Sequence, residues 1–158
     1  MFILMRALAY ATLFTAVVLL LLPSRVLDWA GIAFPGAFGL PQAAGTVLAI
    51  GGAALALWSV LAFAIIGRGT PAPFDAPRQL VVRGPYRYVR NPMYLGAALA
   101  LAGAACAFES LALFGYLAVF VAAFTLFAIG FEEPTLRRAF GREYEDYCQR
   151  VHRWWPRF

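Results

Sequence analysis

Four long apolar stretches dominate the chain, at roughly 7–22, 43–66, 93–107 and 111–131. Crossing a bilayer takes about 20 apolar residues per helix, so runs of this length are read as membrane spans. The second carries Gly45, Gly51, Gly52 and several alanines, which let helices approach without bulky side chains between them. The third is short for a full span at about 1.5 Å per residue, so it starts or ends inside protein. Only residues 108–110 separate it from the fourth, which predicts a helical hairpin. Arg6 ahead of the first run gives that run the look of a signal peptide. Its length, the missing small-residue cleavage site and the membranous remainder favour a retained helix. Beyond Pro134 the pattern changes. Leu136, Phe140, Tyr144, Tyr147 and Val151 step by four, four, three and four residues, which places them on one helical face. The expectation is an amphipathic helix lying on the membrane surface or capping the bundle, with Trp154 and Trp155 at headgroup level.

Composition agrees with that pattern. The 158 residues are 63% hydrophobic and 13% charged, against roughly half and a quarter in a soluble domain. A water-soluble globular enzyme, a disordered tail and a nucleic-acid module are all excluded. The chain is therefore expected to be one all-α integral membrane domain over 1–158, with about four transmembrane helices plus a C-terminal amphipathic helix. Residues 1–66 supply two spans, and 67–158 supply a loop, the hairpin and the amphipathic helix. All thirteen basic residues are Arg, and the net charge is +5. Twelve of the thirteen fall on one side of this plan, in Arg6, the 67–92 loop and the tail, leaving Arg25 alone in the 23–41 loop. The positive-inside rule then puts both termini and the 67–92 loop in the cytoplasm. Cys106 and Cys148 are expected to be free thiols, and a single His, at 152, offers no metal-ligand cluster.

Within this charged side, the stretch 78–96 is dense in Arg and Tyr. Gly84-Pro85 is a turn signal, and Asn91-Pro92 makes a good N-cap and first-turn pair for the third helix. On that account the arginines only hold the loop in the cytoplasm. It leaves unexplained why Tyr86, Tyr88 and Tyr94 gather around Arg87 and Arg90 beside a helix N-terminus, where backbone N–H groups and an Arg suit an anion. Glu132 and Glu133 directly follow the fourth span. Acids before Pro134 favour the start of a helix, yet carboxylates at the edge of hydrocarbon are costly unless paired or facing a polar cavity. The hairpin returns the chain to the face it left at Pro92. Asn91, Tyr94 and Glu132 are thus expected to converge at one membrane end, around a polar ligand.

Three ordered motifs now stand together: Gly84-Pro-Tyr-Arg-Tyr-Val-Arg90-Asn-Pro-Met-Tyr94-Leu-Gly96, Glu132-Glu133-Pro-Thr-Leu136, and Phe140-Gly141-Arg-Glu-Tyr144-Glu-Asp-Tyr147. Over about residues 78–156 the chain resembles the isoprenylcysteine carboxyl methyltransferase family, within a wider superfamily that includes the phospholipid methyltransferases. Its length resembles the short prokaryotic members. The resemblance implies S-adenosylmethionine as methyl donor, bound at the cytoplasmic end of the bundle. It further implies cofactor contacts from Leu80, Val81, Val82, Gly84, Tyr86, Asn91, Tyr94, Glu132 and Glu133. Arg90 or the helix N-terminus would meet the donor's carboxylate, and Glu132 or Glu133 its ammonium or ribose hydroxyls. Arg90 and Glu132 are the expected catalytic pair, Arg90 orienting an anionic acceptor or the cofactor. Tyrosine faces suit a sulfonium cation. The family commonly has Arg-His-Pro where this chain has Arg90-Asn91-Pro92, and Asn cannot titrate near neutral pH. The usual His upstream of the Leu-Val pair is also absent, the chain reading Arg78-Gln79 there.

Methyl transfer requires in-line positioning and desolvation more than acid–base chemistry. The expected function is methylation of a lipophilic acceptor, isoprenylcysteine carboxylate-like or another lipid, reached sideways from the bilayer. No nucleic acid and no metal is expected to take part. All-Arg, Ala-rich usage is consistent with a bacterial inner membrane. Two alternatives share this outline: a membrane NADPH-dependent sterol or steroid reductase, and a non-catalytic membrane scaffold.

Overall fold

The computed structural model describes residues 2–67 and 78–156. Arg68 and Arg157, both counted in the charge asymmetry, lie outside the described residues. Among those described, the chain is helical, without strands, and three of its helices are long and apolar enough to cross a membrane. The protein is an all-α integral membrane protein, with a fourth, shorter apolar helix at its centre.

The first span is longer than its hydrophobic run suggests. Helix α1 (Phe2–Phe14) passes through a π-helical segment (Thr15–Leu21) into α2 (Leu22–Ala30). Residues 23–30, expected in a loop with Arg25, are therefore helical. Pro23 explains both the expectation and its failure. It has no N–H to donate and would break a regular helix. Here the register widens just before it, the Leu22 N–H reaching back five residues to Val17, so the helix continues. The carbonyl of Val18 is left over, and the Tyr116 hydroxyl from the fourth span donates to it at 2.9 Å. The same device recurs before Pro134. Helix α5 (Leu111–Phe127) enters a π-helical segment (Ala128–Glu132), with the Glu133 N–H bonded to Ala128, and continues into α6 (Glu133–Phe140). What was expected as a separate surface helix thus begins as an extension of the fourth span.

Helix α3 (Leu40–Ile66) and α4 (Pro92–Ala107) form the largest interface. It is a seam of small residues in which Gly45, Ala49, Gly52 and Ala56 face Gly96, Ala100, Gly103 and Ala107. Both sets repeat at four, three and four residues, so each stays on one helix face. A Cβ at Gly52 would stand 2.4 Å from the Ala100 nitrogen, and one at Gly103 2.4 Å from that of Ala49. Only backbone-to-backbone approach fits. At 16 residues, α4 is about 24 Å long, short of the ~30 Å hydrocarbon core. It lies between α3 and α5. One of its faces is covered by the first span, through Phe14, Val18 and Leu19 against Ala97, Leu101 and Phe120, and through Leu27 against Ala105 and Leu113.

At the C-terminal end, Gly141 at φ +51° breaks the expected single amphipathic helix into α6 and α7 (Arg142–Arg150). The five apolar positions still meet, because the turn folds Leu136 and Phe140 onto Tyr144, Tyr147 and Val151, with Leu80 beside them. Trp154 is half-buried and Trp155 exposed.

Candidate active site

A tight turn positions the first part of the site. Gly84 at φ +62° opens a 3-10 turn (Gly84–Arg87), and Tyr86 is buried with Val81 and Ala62 against Phe63. The chain then runs extended beside its own C-terminal segment. Val89 bridges His152, and the Arg90 N–H donates to the His152 carbonyl at 2.9 Å. The Tyr147 hydroxyl donates to the Tyr86 carbonyl at 2.6 Å. These bonds hold Arg90 and Asn91 at the mouth of α4, opposite the π-turn that carries Glu132. Buried tyrosines here keep their protons: burial raises the phenols of Tyr86 and Tyr147, and the Glu132 charge raises Tyr86 further.

Leu80, Val81, Tyr86, Arg90, Asn91, Glu132 and Glu133 surround one cavity of about 30 Å³. Val82 and Gly84 do not line it. Val82 is exposed and faces a larger groove of about 630 Å³ lined also by Arg78, Arg83, Phe140 and Glu143. Leu80 lines both spaces. Tyr94 reaches the site from within α4 by a hydrogen bond to the Glu132 side chain. Phe63, Leu136, Tyr144 and Tyr147 complete the cavity wall. The spacing of the last three marks an apolar helix face, and nothing in it distinguishes a pocket from a core.

The two adjacent acids have different partners. Both oxygens of Glu133 are occupied: Arg153 binds them in a fork, Nε to Oε1 at 2.7 Å and Nη2 to Oε2 at 3.0 Å, and Arg90 Nη1 lies 3.4 Å from Oε1. Arg153 carried no motif signal and was not among the expected site residues. Arg90 Nη1 also donates to the Cys148 thiol at 2.9 Å. In contrast, Glu132 Oε2 is buried without a partner, as are Arg90 Nε and Asn91 Nδ2. Asn91 occupies the N-cap position of α4, yet its side chain makes no capping bond, contrary to the expected capping role. Among the described residues these three atoms are the buried side-chain nitrogens and oxygens lacking any partner, and all belong to residues of one cavity. Such orphans are few in native proteins and call for a ligand, ion or water. Two donors and one acceptor are thus set around one small space.

Together these features define an integral-membrane protein with a polar binding site at one end of its helix bundle. The family model described as phospholipid methyltransferase matches residues 40–143, and the chain belongs to that family. The match takes in α3, which the motifs left aside, along with the turn, α4, α5 and α6. It stops short of Tyr144, Tyr147 and Arg153. No curated protein and no solved structure matches the chain significantly. Membership makes this a membrane methyltransferase-family protein whose substrates are lipid-like.

Proposed function

We propose that the chain transfers a methyl group from S-adenosylmethionine to a lipophilic acceptor, at the cytoplasmic face of a bacterial inner membrane. The observation that carries this reading is the trio of unpartnered polar atoms in one cavity, Arg90 Nε, Asn91 Nδ2 and Glu132 Oε2. The donor's amino-acid end bears a carboxylate and an ammonium, which suit the two donors and the one acceptor respectively. The cavity at about 30 Å³ has room for about one water molecule, far less than the nucleoside end needs. The groove beyond Leu80, at about 630 Å³, has that room. Leu80 lines both spaces, which supports a donor that spans them, with Leu80 and Val82 as apolar contacts for its nucleoside end. When bound, the donor supplies an electrophilic methyl on a sulfonium.

The chain's own residues bind, orient and exclude water. Arg90 is held from one side by Glu133 and Cys148, which leaves its Nε to orient a carboxylate. Tyr94 fixes the Glu132 carboxylate through one hydrogen bond and leaves Oε2 for a cation. Tyr86, Tyr144 and Tyr147 wall the site with neutral rings, where a positive charge gains cation–π stabilisation. Asn91 donates a hydrogen bond and cannot act as a base. An acceptor that is already nucleophilic needs no base from this position.

The test is equilibrium binding of labelled S-adenosylmethionine to the solubilised chain, with NADPH as the competing ligand. Arg90→Ala and Glu132→Ala are expected to weaken binding at least tenfold, about 1.4 kcal/mol or more. Normal binding by both variants overturns the site assignment. Mass spectrometry of a lipid extract incubated with enzyme and labelled donor should then show a product one methylene heavier.

A further inference from the structure

Backbone pairing delivers Arg153 to the site. Val89 bridges His152, the Arg90 N–H donates to the His152 carbonyl at 2.9 Å, and the Asn91 N–H donates to the Arg153 carbonyl at 3.4 Å. Arg153 does not line the cavity itself. Its side chain goes to Glu133 instead, with Nε on Oε1 at 2.7 Å and Nη2 on Oε2 at 3.0 Å.

Glu133 is thereby shared by two guanidiniums that are not equivalent. Arg153 holds both carboxylate oxygens. Arg90 has one longer contact, Nη1 to Oε1 at 3.4 Å, and its Nε stays buried and unpartnered. A planar guanidinium favours a fork, two parallel N–H groups on one carboxylate. The side chains of Arg90 and Glu133 are only 15% and 14% exposed, so water does little to weaken their attraction. Without Arg153, Glu133 can take Arg90 in the fork, through Nη1 and the Nε that is otherwise open. Charge points the same way. Two arginines against one carboxylate leave a positive charge over, and one arginine leaves none.

We infer, on the methyl-donor reading of this cavity, that Arg153 is a positioning residue. By occupying Glu133 it withholds that carboxylate from Arg90, and so keeps Arg90 Nε free for the carboxylate of the donor. Arg153 acts through Glu133 and need not touch the ligand. Its loss is therefore felt by a ligand that carries a carboxylate and not by one that lacks it.

The experiment measures equilibrium binding of two ligands to the full solubilised chain. One is S-adenosylmethionine. The other is its decarboxylated form, which keeps the sulfonium, the amine and the nucleoside. The wild type should prefer the carboxylate-bearing ligand by about tenfold or more, as a hydrogen bond between charged groups implies. Arg153→Gln should bind the two alike, with affinity for the decarboxylated ligand unchanged. Arg153→Gln combined with Glu133→Gln should recover the preference, because the competitor for Arg90 is gone. Neutralising both partners also avoids an unpaired buried charge, which protects the fold of the double variant. A merely structural Arg153 predicts otherwise: equal loss for both ligands, without recovery in the double variant. No preference in the wild type, equal loss in Arg153→Gln, full preference in Arg153→Gln, or no recovery in the double variant each overturns the positioning role. Each of these leaves the methyl-donor reading standing. If the wild type binds neither ligand, that reading fails and the positioning role falls with it.

Discussion

Glu132 and Glu133 are neighbours in sequence, yet their side chains meet opposite surroundings. Glu133 has three hydrogen-bond or ion-pair contacts from Arg153 and Arg90, whereas Glu132 keeps one buried oxygen unpartnered. Removing one partner of a mostly buried charge pair is strongly destabilising, while neutralising a buried unpaired charge removes a desolvation cost. Glu133→Gln should therefore lower stability by about 1–3 kcal/mol, discounted for the partial exposure of Arg153. Glu132→Gln should leave thermal unfolding in detergent unchanged or raised, while still losing S-adenosylmethionine. Equal destabilisation by the two would show that both are structural. The sequence could not separate them, since a pair of acids before a proline reads the same at either position. What separates them is the widened register of the π-segment that ends at Glu132 and the arrival of Arg153 from twenty residues downstream. Asn91 carries the same lesson: its type and position before Pro92 predict a cap, but the side chain points into a cavity that only the folded chain creates.

At the level of elements, the apolar runs gave the number and approximate extent of the spans, because burial in lipid is written directly in composition. Packing between them is written in residue size, and there only half was legible. Gly45 and Gly52 could be seen as permissive, but Gly51 beside them looked equivalent. The fold shows that it is not: a Cβ at Gly51 meets nothing within 4 Å, whereas one at Gly52 meets the backbone of α4 at 2.4 Å. Gly52→Ala should force α3 and α4 apart and sharply reduce the folded, monodisperse yield in detergent. Gly51→Ala should not, since alanine is the better helix former. Matching losses from both would refute the seam. The π-segments were hidden for a different reason, since a proline in an apolar run normally marks an end. Tyr116 tests that device. Tyr116→Phe strips the hydroxyl that satisfies Val18 and should cost about 0.6 kcal/mol, the average for hydrogen bonds between membrane helices, and no more than about 1.7. No change in unfolding would mean that the Val18 carbonyl is satisfied otherwise.

For the whole molecule, charge is the coordinate that relates the two ends to the membrane. Among the described residues, Arg78, Arg83, Arg87 and Arg90 share an end with the arginines of α6, α7 and the tail, while Arg25, Asp28 and Glu109 belong to the other. This division groups the polar cavity, the Arg153–Glu133 fork and the groove behind Leu80 on the basic side. A cytosolic methyl donor can reach only a site that faces the cytoplasm, so orientation and proposed chemistry stand or fall together. Cysteines placed at exposed Gly36 and Trp155, in a chain whose Cys106 and Cys148 are replaced by Ser, read that orientation in intact cells. The Gly36→Cys thiol should react with an impermeant maleimide added outside, and Trp155→Cys should react only after the membrane is opened. The reverse pattern would put the cavity on the outer face, where a soluble cytosolic donor has no access. S-adenosylmethionine binding measured in detergent would then describe a site that the cell could not use.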